Sequence, residues 1–142
     1  MSVSITFDAN QLSKRLNKVK ENINAAVRPA AQAGAQVLYE AVKRNAPRSE
    51  KAHVFYGTNG KYLFQAGTLK DSIYQVYSKD RSGEQKAVYH IAWNHQKCPY
   101  GFMVEFGTSR APAHPFLRPA RALLPDAREA MKAEFMSRLG GA

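Results

Sequence analysis

Only one cysteine, Cys98, occurs among the 142 residues, so no disulfide can form within the chain. A chain without such a framework must fold on its core, and it reads as a protein of a reducing compartment. Long apolar runs are missing too. None approaches the ~20 residues that span a bilayer, so no membrane partner is expected. The first twelve residues, MSVSITFDANQL, lack a basic stretch, a long apolar stretch and a small-residue cleavage site, so no secretory signal is expected. Glycine-rich phosphate loops are absent as well. No GxGxxG follows a strand, and the GTNG at 57–60 lacks the Lys-Ser/Thr that completes a nucleotide-binding loop.

Acidic groups are scarce. Asp and Glu number 11 against 21 Lys and Arg, a net charge of +10. Such a balance suits a polyanion or an acidic protein face. The excess is spread along the chain, with nine, six and six cations in residues 1–53, 54–97 and 98–142. That spread argues against a dedicated nucleic-acid tail. Apolar residues make up 44% and aromatics 11%, too much for a disordered chain. The length fits one domain over 1–142.

Residues 2–7 alternate, with Val3, Ile5 and Phe7 on one face, and predict a half-buried strand. Asp8 with Gln11 has capping-box spacing and predicts a helix at once. Leu12, Leu16, Val19 and Ile23 begin its apolar stripe, which continues to Ala41. Pro29 predicts a kink or break, the Ala/Gly run at 30–35 a close backbone approach, and Pro47 the end. Residues 48–67 have no period and predict a long loop whose aromatics dock on something. Ser72–Ser78 and Ala87–Trp93 predict an antiparallel hairpin. Tyr100–Phe106 predicts a short helix capped by Gly107. A Pro-punctuated arm at about 108–119 follows, then a helix over Pro119–Leu139, with Pro125 as a kink or effective start and Gly140 and Gly141 as its stop. The expected fold is α+β: an antiparallel sheet of three to four strands, a long kinked N-terminal helix and a C-terminal helix.

Candidate chemistry is thin. His90, His95 and Cys98 cluster without a fourth zinc ligand nearby in sequence. Glu105, Ser109 and His114 could be drawn as a triad, but no nucleophile elbow surrounds Ser109. The expectation is no catalytic, cofactor or metal residue. Lys51, Lys61 and Lys70 interleave with Phe55, Tyr56, Tyr62 and Phe64, the mixture that single-strand binders use. A basic nucleic-acid-binding module is therefore the alternative reading.

Two segments are more specific. AGTLKDSI at 66–73 contains Gly67, Leu69, Lys70, Ser72 and Ile73. YGFMVEFGTSRAPAHPFLRPA at 100–120 contains Tyr100, Glu105, Phe106, Gly107 and Thr108, then Pro112 to Ala120. Together they resemble the neck and tail-completion family of long-tailed phages and prophages. Ala66 and Lys70 depart from that pattern, which favours Thr and Arg there.

The resemblance implies a non-enzymatic virion protein of the tail's neck region, assembled in the host bacterial cytoplasm. It would complete the head-proximal end of the tail and take part in head-tail joining. Implied partners are identical subunits in a sixfold ring, the tail tube or terminator, and the head-closure or connector proteins, with genomic DNA passing through the lumen. The expected assembly interface comprises Phe55, Tyr56, Tyr62, Phe64, Glu105, Phe106, Gly107, Thr108, His114, Pro115, Phe116 and Leu117. Phe116 and Leu117 either enter a neighbour's groove or cover this chain's own core, and the sequence leaves both open.

Overall fold

The computed structural model describes residues 1–57 and 60–140. Residues 58 and 59 of the expected loop, Gly141 of the expected stop, and the side chains of Phe55 and Tyr62 lie outside the described residues.

Helix α1 (Asn10–Asn45) runs for 36 residues. It passes through Pro29 without the expected break. Proline removes only one backbone donor, and the residues around it are seated against the body of the protein. Ala26, Ala30, Gly34 and Ala35 are buried, whereas residues 10–21 are exposed throughout. The helix therefore has a projecting half and a packed half. Asp8 accepts the Asn10 N–H at 2.9 Å, but no side chain caps the helix from the N-cap residue Ala9. The capping box with Gln11 is not formed. At the far end the Ala46 N–H closes on the Val42 carbonyl at 2.9 Å, and Pro47 ends the element as expected.

The expected strand at 2–7 is not formed. Val3, Ile5 and Phe7 are 98%, 99% and 83% exposed. They sit beyond the projecting half of α1, where no strand among the described residues stands beside them.

Residues 48–67, expected as an aperiodic loop, instead contain β1 (His53–Gly57) and β2 (Gly60–Phe64). These pair antiparallel, Val54 with Leu63 and Phe55 with Tyr62. Cross-strand pairs of branched residues such as Val54 and Leu63 stabilise such a ribbon, and the interleaved polar residues hid its period. A short helix α2 (Thr68–Ser72) leads into β3 (Ile73–Tyr77). Strand β3 pairs antiparallel with β4 (Tyr89–Trp93), from Ile73 with Trp93 to Tyr77 with Tyr89. The four strands thus form two separate two-stranded ribbons. Helix α3 (Gly101–Phe106) follows. The expected C-terminal helix is divided into a 3-10 turn (Arg118–Leu123) and α4 (Leu124–Gly140), with Pro125 in the first turn of α4.

The fold is α+β, and its layers meet on α1. Helix α4 packs along α1, where Gly34 permits the contact. A methyl group there would overlap Met131 Cγ and lie 3.1 Å from the Ala127 carbonyl. The β3–β4 ribbon covers another side, pinned by Arg28 over the Tyr77 ring at 4.0 Å and by a Gln75–Gln36 hydrogen bond. The core gathers Ala41, Val42, Leu69, Ile73, Trp93, Cys98 and Phe116. Gly34→Val should lower stability by about 1–3 kcal/mol through overpacking. Urea denaturation of the two proteins checks this, and an unchanged midpoint would contradict the close crossing.

Candidate assembly site

The two specific segments of the sequence meet in space. Gly67 and Leu69 from the first, and Tyr100, Val104 and His114 from the second, line a largely apolar cavity of about 410 Å³. Arg48 stands at its rim. The Tyr100 hydroxyl is held above its ordinary value by burial and by its hydrogen bond with Cys98. Cys98 is itself fully buried, and burial pushes its thiol up, so it is unsuited to act as a nucleophile. Among the described residues no group of His, Cys, Asp and Glu could hold a metal. His90 lies exposed on β4, and His95 packs edge-on against Trp93 at 4.9 Å.

Behind the cavity, Glu105 is 1% exposed. One carboxylate oxygen accepts the N–H groups of Phe116 at 2.7 Å and Leu117 at 3.0 Å. The other accepts the Arg118 N–H at 3.0 Å and its Nε–H at 3.1 Å. The Arg118 guanidinium also donates to the Glu105 carbonyl at 2.7 Å and lies over the Phe106 ring at 4.7 Å. Burial alone would raise this carboxyl. The N–H groups of Phe116, Leu117 and Arg118, with the guanidinium, outweigh it and hold the carboxyl below its ordinary value.

The rest of the Glu-Phe-Gly-Thr run builds the turn that brings the arm back to this clamp. Gly107 has φ of 76°, and a Cβ there would come 2.7 Å from the Ala113 nitrogen. Thr108 Oγ1 accepts the N–H groups of Arg110 and Ala111 at 3.2 and 3.1 Å. The His114 N–H then donates to the Val104 carbonyl at 2.8 Å.

The twelve expected interface residues therefore separate. Phe116 is fully buried and meets Trp93 edge-on at 5.6 Å, so in this conformation it anchors the arm in this chain's own core. Glu105 is likewise internal. Pro115 and Leu117 are half-buried, as is Gly107. Phe64 is half-buried and packs edge-on against Tyr100 at 5.0 Å, so the β1–β2 ribbon docks on its own protein. Tyr56, Phe106, Thr108 and His114 remain exposed. Sequence reasoning missed Phe102 and Met103, which are 60% and 43% exposed on α3. Phe102 meets Phe106 at 4.7 Å, and their spacing of one helical turn was the available signal.

A family model described as "Bacteriophage HK97-gp10, putative tail-component" matches residues 10–107, more than half of the chain. The chain belongs to this HK97-gp10-like family. No curated protein and no solved structure matches it. The family match begins where α1 begins and ends on Gly107, at the turn that Glu105 commands. As an HK97-gp10-like tail component the protein is a structural part of the virion. No helix among its described residues is long and apolar enough to cross a membrane.

Glu105→Gln should cost about 3 kcal/mol, because donors aimed at a buried carboxylate lose their partner. The folded carboxyl is depressed, so its stabilisation is complete above the ordinary value of 4.5 and is lost as pH falls through the lower folded value. Denaturant midpoints measured against pH should therefore fall steeply below about 4.5 in the native protein and less steeply in the variant. Gly107→Ala should be destabilising by roughly 2 kcal/mol or more, from strain at positive φ plus the clash with Ala113.

Proposed function

We propose that this tail component completes the head-proximal end of the phage tail and takes part in joining tail to head. In this reading residues 1–142 form one tail-completion domain. The observation that carries the reading is apolar surface left without a neighbour. Leu12, Leu16 and Val19 form a stripe on the projecting half of α1 and are 48%, 59% and 52% exposed. Phe102 and Met103 expose a second patch on α3, and Tyr56 and Leu63 a third on the β1–β2 ribbon. Apolar surface distributed this way fits a subunit enclosed by other proteins. Identical copies in a sixfold ring would cover part of it, and tail terminator and head-closure proteins the remainder. Lys14, Arg15, Lys18 and Lys20 on the projecting half of α1 would supply cations toward DNA in the lumen. The same charge makes copies repel at low salt, which favours assembly on the tail end over assembly in isolation.

A phage lacking the native protein, supplied with the Phe102→Ser, Met103→Ser double variant, tests this. Both side chains are exposed, so stability should change by only about 0.5 kcal/mol. Tails and heads should accumulate unjoined, counted by electron microscopy. Normal yields of joined particles would sink the reading.

A further inference from the structure

We infer that residues 2–7 of one copy form the missing third strand of the β3–β4 ribbon in a second copy, added along the free edge of β4. The inference rests on the reading of the protein as a self-associating tail component and names how copies engage.

The segment has the pattern of a half-buried strand and nothing to pair with. Its own sheet is out of reach. The groove beside the start of β4 is lined by Val27 of α1, about 26 Å along the helix axis from Asn10. Phe7 is three residues from Asn10 and can stand no more than about 11 Å from it. The unbroken helix between them keeps the distance fixed, so a strand partner must come from another molecule.

The receiving edge is defined. The Ser78 N–H donates to the Val88 carbonyl, and the Asn94 N–H to the Ser72 carbonyl. Alternation then turns the backbone groups of Tyr89 and Ile91 to the opposite edge, which carries no strand among the described residues. Two apolar cavities flank that edge on the side of α1 and α4. The larger, about 440 Å³, lies beside Ala87 and is walled by Val27, Met131 and Phe135. The smaller, about 130 Å³, lies beside Ile91, with Leu38 and Leu124. Ala87 and Ile91 are four residues apart, as are Val3 and Phe7.

An antiparallel strand with Phe7 opposite Ala87 places Ile5 opposite Tyr89 and Val3 opposite Ile91. The large side chain meets the large cavity and the small one the small cavity. All three share the face that Tyr89 and Ile91 turn toward α1, while Ser4 and Thr6 face solvent. The same register sets Asp8 opposite Lys86. Asp8 is the one acidic residue before Glu21, so the sole negative charge of the segment meets a cation. Strand addition of this kind draws affinity from main-chain hydrogen bonds and register from alternate pockets.

Ser4 and His90 would then form a non-hydrogen-bonded cross-strand pair, close enough for a disulfide. Full-length Ser4→Cys and His90→Cys proteins are mixed under oxidising conditions at raised salt. The expected product is a disulfide-linked heterodimer, with none from Ser4→Cys mixed with Val76→Cys on β3. Adding Phe7→Ser to the Ser4→Cys chain should abolish the cross-link while its melting temperature stays unchanged, because Phe7 is exposed in the single copy. The inference is overturned by absence of the His90 cross-link between folded proteins, by equal cross-linking to Val76, or by survival of the cross-link with Phe7→Ser. Cross-linking of the Ser4→Cys chain to another tail protein, with none to His90→Cys, also overturns it, since the acceptor is then not a second copy. In-register cross-linking by a protein that fails to join tails would overturn the joining role and leave the strand exchange standing.

Discussion

A single carboxylate organises the C-terminal half of this protein. Glu105 gathers three consecutive backbone N–H groups, from Phe116 to Arg118, at the point where an extended arm becomes a 3-10 turn. Those groups would otherwise be orphaned at the start of a helical segment. Satisfying them fixes the direction in which the chain enters α4, and it drives Phe116 down against Trp93. Arg118 closes the clamp from outside, half exposed, so its ion pair matters less for Coulomb energy than for roofing Phe106. The core, the turn at Gly107 and the seating of α4 on α1 all descend from this arrangement.

The arm is consequently an internal brace. Three prolines at 112, 115 and 119 reduce the freedom it loses on docking. Exposed apolar surface lies on either side of it, on the outer face of α3 and on the projecting half of α1. The segments that resemble tail-completion proteins mostly build the scaffold, and the apolar surface stands on what that scaffold holds up.

Much of this was legible in residue order. Alternation in Ile73–Tyr77 and Tyr89–Trp93 marked one ribbon, and Tyr100 to Gly107 marked a short helix with its glycine stop. The Ala/Gly run at 30–35 marked the close crossing that Gly34 makes with α4. Other features could not be read because their cause is not local. Alternation at 2–7 states that a strand is wanted and says nothing about whether a partner stands within reach. The β1–β2 ribbon was obscured because lysines and glycines break its period while cross-strand pairing, invisible in one dimension, restores it. Phe116 could have served a core or an interface, since burial selects the same residue for both. Only the place of the clamp decides between them.

Pro29 acquires a mechanical meaning from its position. It lies between the buried Ala26 and Ala30, about two turns inside the packed part of α1 from Glu21, where the exposed run ends. A proline there removes one rung of the hydrogen-bond ladder, the one from residue 29 to residue 25, behind a projecting rod about 18 Å long. Bending compliance concentrates at that rung, since the helix on both sides of it keeps its ladder. A tilt about that rung would carry the buried Ala26 with it, so the packing of that turn against the body is what keeps the projecting rod aligned despite the missing bond.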